Sequence, residues 1–143
     1  MKTKTIILTG LLLLAGLTAQ AALPQGTWTV TQVTVERNTD GNIETTVYNS
    51  AAEVQSPHSK LQELVVSAQG IVLRHLCGWE ETISSYTADG NYLTMASELY
   101  NEPIRYELGE GTLTLFTIHS HLYNLPMGQV QQIIENRETT FKK

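Results

Sequence analysis

The sequence has little of what usually betrays a protein's chemistry. It has one cysteine, Cys77, and therefore no internal disulfide. Stability has to come from packing and the hydrogen bonds of regular structure, and Cys77 reads as a small buried apolar residue. Positive charge is scarce: nine Lys and Arg stand against fourteen Asp and Glu, a net charge of −5. Arg37, Lys60, Arg74, Arg105, Arg137, Lys142 and Lys143 are scattered. They form no stripe that could neutralise a phosphate backbone, so nucleic acid is not an expected partner. There is no Gly-x-Ser-x-Gly elbow, phosphate loop, dinucleotide fingerprint or His-Glu-x-x-His. The chain therefore reads as a non-enzyme that needs no cofactor. Its longest apolar run, Ile6 to Leu17, is too short for a membrane-spanning helix.

That run has the layout of an export signal. Lys2 and Lys4 precede it, and Ala19-Gln20-Ala21 supplies small residues where signal peptidase reads them. The expected division is a signal peptide over 1–21, cut after Ala21, and one domain over 22–143. No cysteine follows the apolar run to carry a lipid anchor. A periplasmic or secreted protein is expected. Loss of Lys2 and Lys4 leaves seven basic residues against fourteen acidic ones, a net charge of −7.

The mature part is rich in strand signals. Tyr86-Thr87-Ala88-Asp89-Gly90-Asn91-Tyr92-Leu93-Thr94-Met95 is echoed by Tyr106-Glu107-Leu108-Gly109-Glu110-Gly111-Thr112-Leu113-Thr114-Leu115, and more weakly by Gly70-Ile71-Val72-Leu73. Each copy is a strand, a glycine turn and a second strand. Thr27 to Glu36 is a further strand whose alternation changes phase between Val30 and Val33; a bulge near Thr31–Gln32 would reconcile the two halves. Asp40-Gly41 marks a tight hairpin turn into Ile43–Asn49. Ser50–Lys60 is irregular, with Ala51 to Val54 as one helical turn or a loop. The meander resumes through Leu61–Ala68, Ile71–Cys77, Trp79–Thr87, Asn91–Ser97, Glu102–Leu108 and Thr112–Leu122. Val130, Ile133 and Ile134 are spaced for a short helix, although a further loop and strand also fits, and Glu138–Lys142 closes the chain. The expected fold is all-β: an up-and-down antiparallel meander of eight or nine strands closing into a barrel, with a short helix or loop before the last strand. Closure removes exposed edges.

Gly26-Thr27-Trp28 on the first strand resembles the Gly-x-Trp start of lipocalins, and the Tyr-Thr-x-Asp-Gly-Asn-x-Leu-Thr hairpin is similar to the repeated unit of bacterial lipocalin-like domains. The resemblance covers most of the mature chain. It implies a lipocalin-like barrel that binds a small apolar molecule in its mouth.

Strand alternation then assigns an interior. Tyr86, Ala88, Leu93 and Met95 share one face, as do Tyr106, Leu108, Leu113 and Leu115. Continuing inward are Thr117, His119, His121 and Tyr123, and from the earlier echo Ile71, Leu73, His75 and Cys77. Tyr86, Met95, Tyr106, Leu115, His119 and His121 are the candidate ligand-binding residues, and Trp28 is a structural plug at the barrel end. His119 and His121 are close enough to share an ion, but the His75 strand lies on the opposite wall, so no metal site is expected. Glu80 and Glu81 face opposite ways and read as solvated; Asp40 and Asp89 belong to turns. Two other functions compete with ligand binding. One is a surface module for protein or glycan with a filled interior, acting through Ser50–Lys60 or Tyr100–Pro103. The other is histidine-based metal binding. A filled interior with an exposed apolar patch would favour the surface module.

Overall fold

A computed structural model of the protein describes residues 22–54 and 60–143. The expected signal peptide and part of the Ser50–Lys60 segment lie outside them. The described chain is all-β, with only two short 3-10 turns, Ala51–Glu53 and Pro126–Gly128. Its strands are β1 (Gly26–Thr39), β2 (Asn42–Tyr48), β3 (Leu61–Ser67), β4 (Gly70–His75), β5 (Glu80–Ile83), β6 (Tyr86–Ala88), β7 (Tyr92–Met95), β8 (Ile104–Gly109), β9 (Thr112–Asn124) and β10 (Val130–Lys142). They form a nearly closed antiparallel barrel of nine strands, ordered β5-β4-β3-β1-β10-β9-β8-β7-β6, with β2 attached to β1 outside that path.

The local signals act where they stand in the sequence. The β1–β10 register shifts between Val30 and Gln32, which brings Trp28, Val30, Val33 and Val35 all into the core. Asp40 and Gly41 take the positive φ angles of a tight turn, and the Gly41 N–H donates to Asn38 Oδ1 at 2.9 Å. Asp89 Oδ1 accepts from the N–H groups of Tyr92 and Asn91, and these bonds hold its carboxyl below its usual value. In the two hairpins Tyr86 pairs with Met95 and Tyr106 with Leu115. Gly70 has φ +135°, and a Cβ there would run into the Ile83 carbonyl, so β4 can pack against β5 only with glycine at this position.

Several segments depart from the local reading. Trp79–Thr87 is two strands with a corner at Ser84–Ser85. Ile83 and Tyr86 are an odd number of residues apart, so one straight strand would send one of them outward; the corner lets both contribute to the core. β4 ends at His75, where the Gly78 N–H donates to the His75 carbonyl and Gly78 adopts φ +87°. This turn carries Cys77 to the surface, so it is neither inward-facing nor buried. Leu108, at the end of its hairpin, is also exposed. Of the two readings open for Val130–Asn136, strand holds: it pairs with β9 along its length and with β1 from Ile133 onward, which outweighs the helical spacing of its apolar residues. Finally, β1 has three strand partners. β1 pairs β3 only along Gly26–Thr29 and β2 along Val33–Thr39, while β8 covers β9 only as far as Phe116. β1, β9 and β10 are 13–14 residues long and outrun the short strands around them. Their far halves, with β2, project as a four-stranded wing, ordered β2-β1-β10-β9.

The barrel interior is filled. Leu64, Leu73, Leu93, Leu113 and Phe141 are fully buried, with Trp28 and Leu23 beside them. The nick between β5 and β6 is bridged by Glu81: Ser97 Oγ donates to Oε2 at 2.9 Å and the Glu98 N–H to Oε1 at 2.7 Å. Glu81 is thus a clasp across the nick, not a solvated strand residue.

His75 closes its end of the core at 3 % exposure, with its ring 4.7 Å from that of Trp79. Burial lowers its pKa, against an upward pull from Glu81. The unfolded chain therefore takes up the proton first. His75 should contribute stability that is complete above about pH 6.5 and falls as the pH drops from there toward its folded pKa. Urea midpoints measured from pH 7.5 to 5 should fall, and His75→Gln should flatten the fall. An unchanged profile in the variant would remove His75 as its source.

Candidate functional site: a projecting sheet and its groove

The six candidate ligand residues are not brought together around a lumen. Met95, Tyr106 and Leu115 are packed in the core, and the Tyr106 hydroxyl accepts from the Gly90 N–H at 2.7 Å. Tyr86 packs partly buried against the same core and borders an open cleft beside Ala22 and Asp89. His119 and His121 are half-buried on β9, beyond the barrel proper. Leu115 and His119 share only a pocket of about 40 Å³, room for little more than a water or two. Trp28 is buried, and its indole N–H donates to the Pro24 carbonyl at 3.0 Å.

The larger space lies outside. A groove of about 730 Å³ runs where β9 leaves β8, between the 99–104 segment and the base of the wing. Tyr92, Leu99, Ile104, Phe116 and Ile118 give it apolar walls, and Glu36, Glu102, Glu138, Arg105 and Arg137 give it charge. Arg105 lies over the Phe116 ring at 3.6 Å and pairs with Glu107 at 2.8 Å. The expected Tyr100–Pro103 segment is part of this groove.

Register decides the two faces of the wing. Ile43, Asn38, Ile134 and Ser120 align across it, as do Thr45, Glu36, Asn136 and Ile118. This outer face exposes aliphatic side chains: Ile118 at 74 % and Leu122 at 69 %, with Ile43, Val47 and Val130 also largely exposed. On the inner face Arg37, Glu135 and His119 align, followed by Thr39, Ile133 and His121. Glu135 is buried between two guanidiniums: Oε1 accepts from Arg37 Nε and Nη2 at 3.1 and 2.8 Å, and Oε2 from Arg137 Nη2 at 3.0 Å. Burial pushes its carboxyl up, but the bonds and charges of Arg37 and Arg137 outweigh this and hold it below the usual value. Arg137, buried in turn, offsets some of the upward push that burial and Glu81 give the Tyr100 hydroxyl.

Sequence reasoning missed this ion cluster and the wing. Both had one signal: β10 carries opposite charges two residues apart, Glu135 and Arg137, where a strand would place them on one face.

Among the described residues no group of three or more His, Cys, Asp or Glu side chains is arranged to hold a metal ion, and no helix is long and apolar enough to cross a membrane. Comparison with protein-family models, curated proteins and solved structures finds no match for this chain.

Proposed function

We propose that this chain is an exported, non-enzymatic, lipocalin-like barrel that works through its outer surface as a protein-interaction module. One observation carries this reading: the interior is filled while the wing extends two strand edges and an aliphatic outer face into solvent. Solvent-facing edges and exposed aliphatic patches are what a partner in extended conformation uses, adding a strand by backbone hydrogen bonds. The barrel then acts as the rigid base that holds the wing. The export signal and the lipocalin-like hairpins belong to the same reading, with a periplasmic or secreted location.

A photo-crosslinking residue at Val47 or Leu122, in cells that make the protein, should give protein adducts that the same residue at Glu107 on the barrel does not. A proline on the β2 edge or on the upper β9 edge should remove those from its own side of the wing. Equal labelling from wing and barrel, or none, sinks this reading.

A second reading is favoured by the groove, whose volume is in the range of small-molecule sites and whose walls combine apolar side chains with charged ones. A small apolar ligand would then lie beside Phe116 and Ile104 and not in the barrel mouth. An apolar fluorescent probe displaced by Ile104→Glu but not by Leu93→Met would support it.

A further inference from the structure

The edge of β9 carries more information than the wing as a whole. The Lys143 N–H donates to the Gly111 carbonyl, which places the backbone groups of odd-numbered β9 residues toward β10. The β9–β10 register runs without a shift from Thr112 to Asn124. The amides and carbonyls of Ile118, Ser120 and Leu122 therefore point to the other side, where no described strand pairs with β9 beyond Phe116. From Thr117 to Asn124 this edge has no charged side chain and no proline, two of the devices by which native proteins discourage strand addition. It spans about 26 Å of extended chain.

The same segment is nearly palindromic: Ile118-His119-Ser120-His121-Leu122. We propose that this edge pairs antiparallel with the same edge of a second copy, centred on Ser120, and that the seam assembles a four-histidine site for a divalent transition metal, zinc above all. The proposal rests on the reading of the wing as an interaction surface and names its partner. Two-fold pairing about Ser120 puts Ile118 opposite Leu122 of the other copy, twice, on the outer face. It puts His119 opposite His121, twice, on the inner face. Ser120, Ile118 and Leu122 make the new ladder bonds, so the histidine pairs fall at the non-hydrogen-bonded positions, where Cα atoms approach to about 4.5 Å. Along each strand the two histidines lie about 6.6 Å apart. Four imidazoles at these spacings form a nitrogen-only donor set, which suits zinc and copper and not calcium or magnesium. One chain supplies two of the four, so the site is incomplete without the partner copy. Charge favours the metal's presence: each chain carries a net −5, or −7 once processed, and a dication at the seam offsets the repulsion between copies.

Native mass spectrometry and sedimentation of the mature chain, stripped with chelator and then given zinc chloride, test this. The expected product is two chains with one zinc. Ser120→Pro removes one edge-facing N–H and leaves the β10 ladder bonds in place; it should give a monomer whose zinc affinity is at least tenfold weaker. Ile118→Lys with Leu122→Lys, which sets lysines opposite each other across the seam, should also give a monomer, and it checks the result should the proline disturb folding. His119→Ala with His121→Ala should abolish zinc uptake at an unchanged far-ultraviolet circular dichroism spectrum. A chain that stays monomeric with zinc, a zinc-bound monomer, or a dimer indifferent to the Ser120 and Ile118/Leu122 variants overturns the proposal. If such a chain still gives wing adducts with another protein in cells, self-pairing fails while the wing reading stands.

Discussion

Replacing Glu135 by alanine should destabilise the protein by about 3–5 kcal/mol, the cost of leaving a buried charge without its counter-ion. Glu135 accepts from both Arg37 and Arg137. Arg37 reaches solvent, but Arg137 is only 8 % exposed, so without the carboxylate its guanidinium keeps the cost of burial and loses the attraction that offsets it. Arg37→Ala should cost less than Glu135→Ala, because the exposed partner adds less. Glu135→Gln should fall between them, since it retains an acceptor but not the charge. The carboxyl's lowered pKa sets the pH dependence. Its stabilisation is complete above the ordinary carboxylate range and is lost as the pH falls through the folded value, so Glu135→Gln should narrow the gap to the parent in acid. Urea unfolding at pH 7 and pH 3 measures both effects. A loss under about 1 kcal/mol for Glu135→Ala would mean that the cluster is solvated and contributes no more than a surface ion pair.

The second large effect belongs to Trp28. It is 2 % exposed, sits opposite fully buried Leu64 in the β1–β3 pair, and donates its indole N–H to Pro24. The Lys143 ammonium lies 5.9 Å from its ring, so both ends of the domain meet at this side chain. Trp28→Ala should cost about 3–5 kcal/mol through lost burial and a cavity that the surrounding strands close only in part. Trp28→Phe should cost clearly less, keeping most of the apolar contact and losing the Pro24 bond, itself worth about 1 kcal/mol. Equal losses for the two variants would shift the weight of Trp28 from packing to that hydrogen bond.

These two sites differ in how far the sequence announced them. Trp28 stands in a Gly-Thr-Trp start on a strand whose alternation marks its face, so its burial is a local inference. Glu135 stands in a segment whose apolar spacing suits a helix equally well. Only its pairing with β1 makes it an inward-facing strand residue, and the Arg37 that it accepts from is 98 positions away. A buried charge is legible only when its partner is known, and no local pattern supplies a partner at that distance. The candidate pocket failed for a related reason. Alternation correctly turned Met95, Tyr106 and Leu115 inward, but it cannot tell a lined cavity from a filled core, which depends on what the opposite wall contributes.

By itself the sequence determined the all-β class, the bulge in the first strand, the Asp40-Gly41 turn and the paired hairpins at Tyr86–Met95 and Tyr106–Leu115. Each follows from side-chain alternation or from the positive φ that a tight turn demands, and neither needs information from beyond a few residues. Tertiary structure alone decided the corner at Ser84–Ser85, the exposure of Cys77, the Glu81 clasp, the buried Arg37–Glu135–Arg137 cluster and the wing. Those depend on which strands end up adjacent and on where a long strand outlives its neighbour, and adjacency is settled only when the barrel closes.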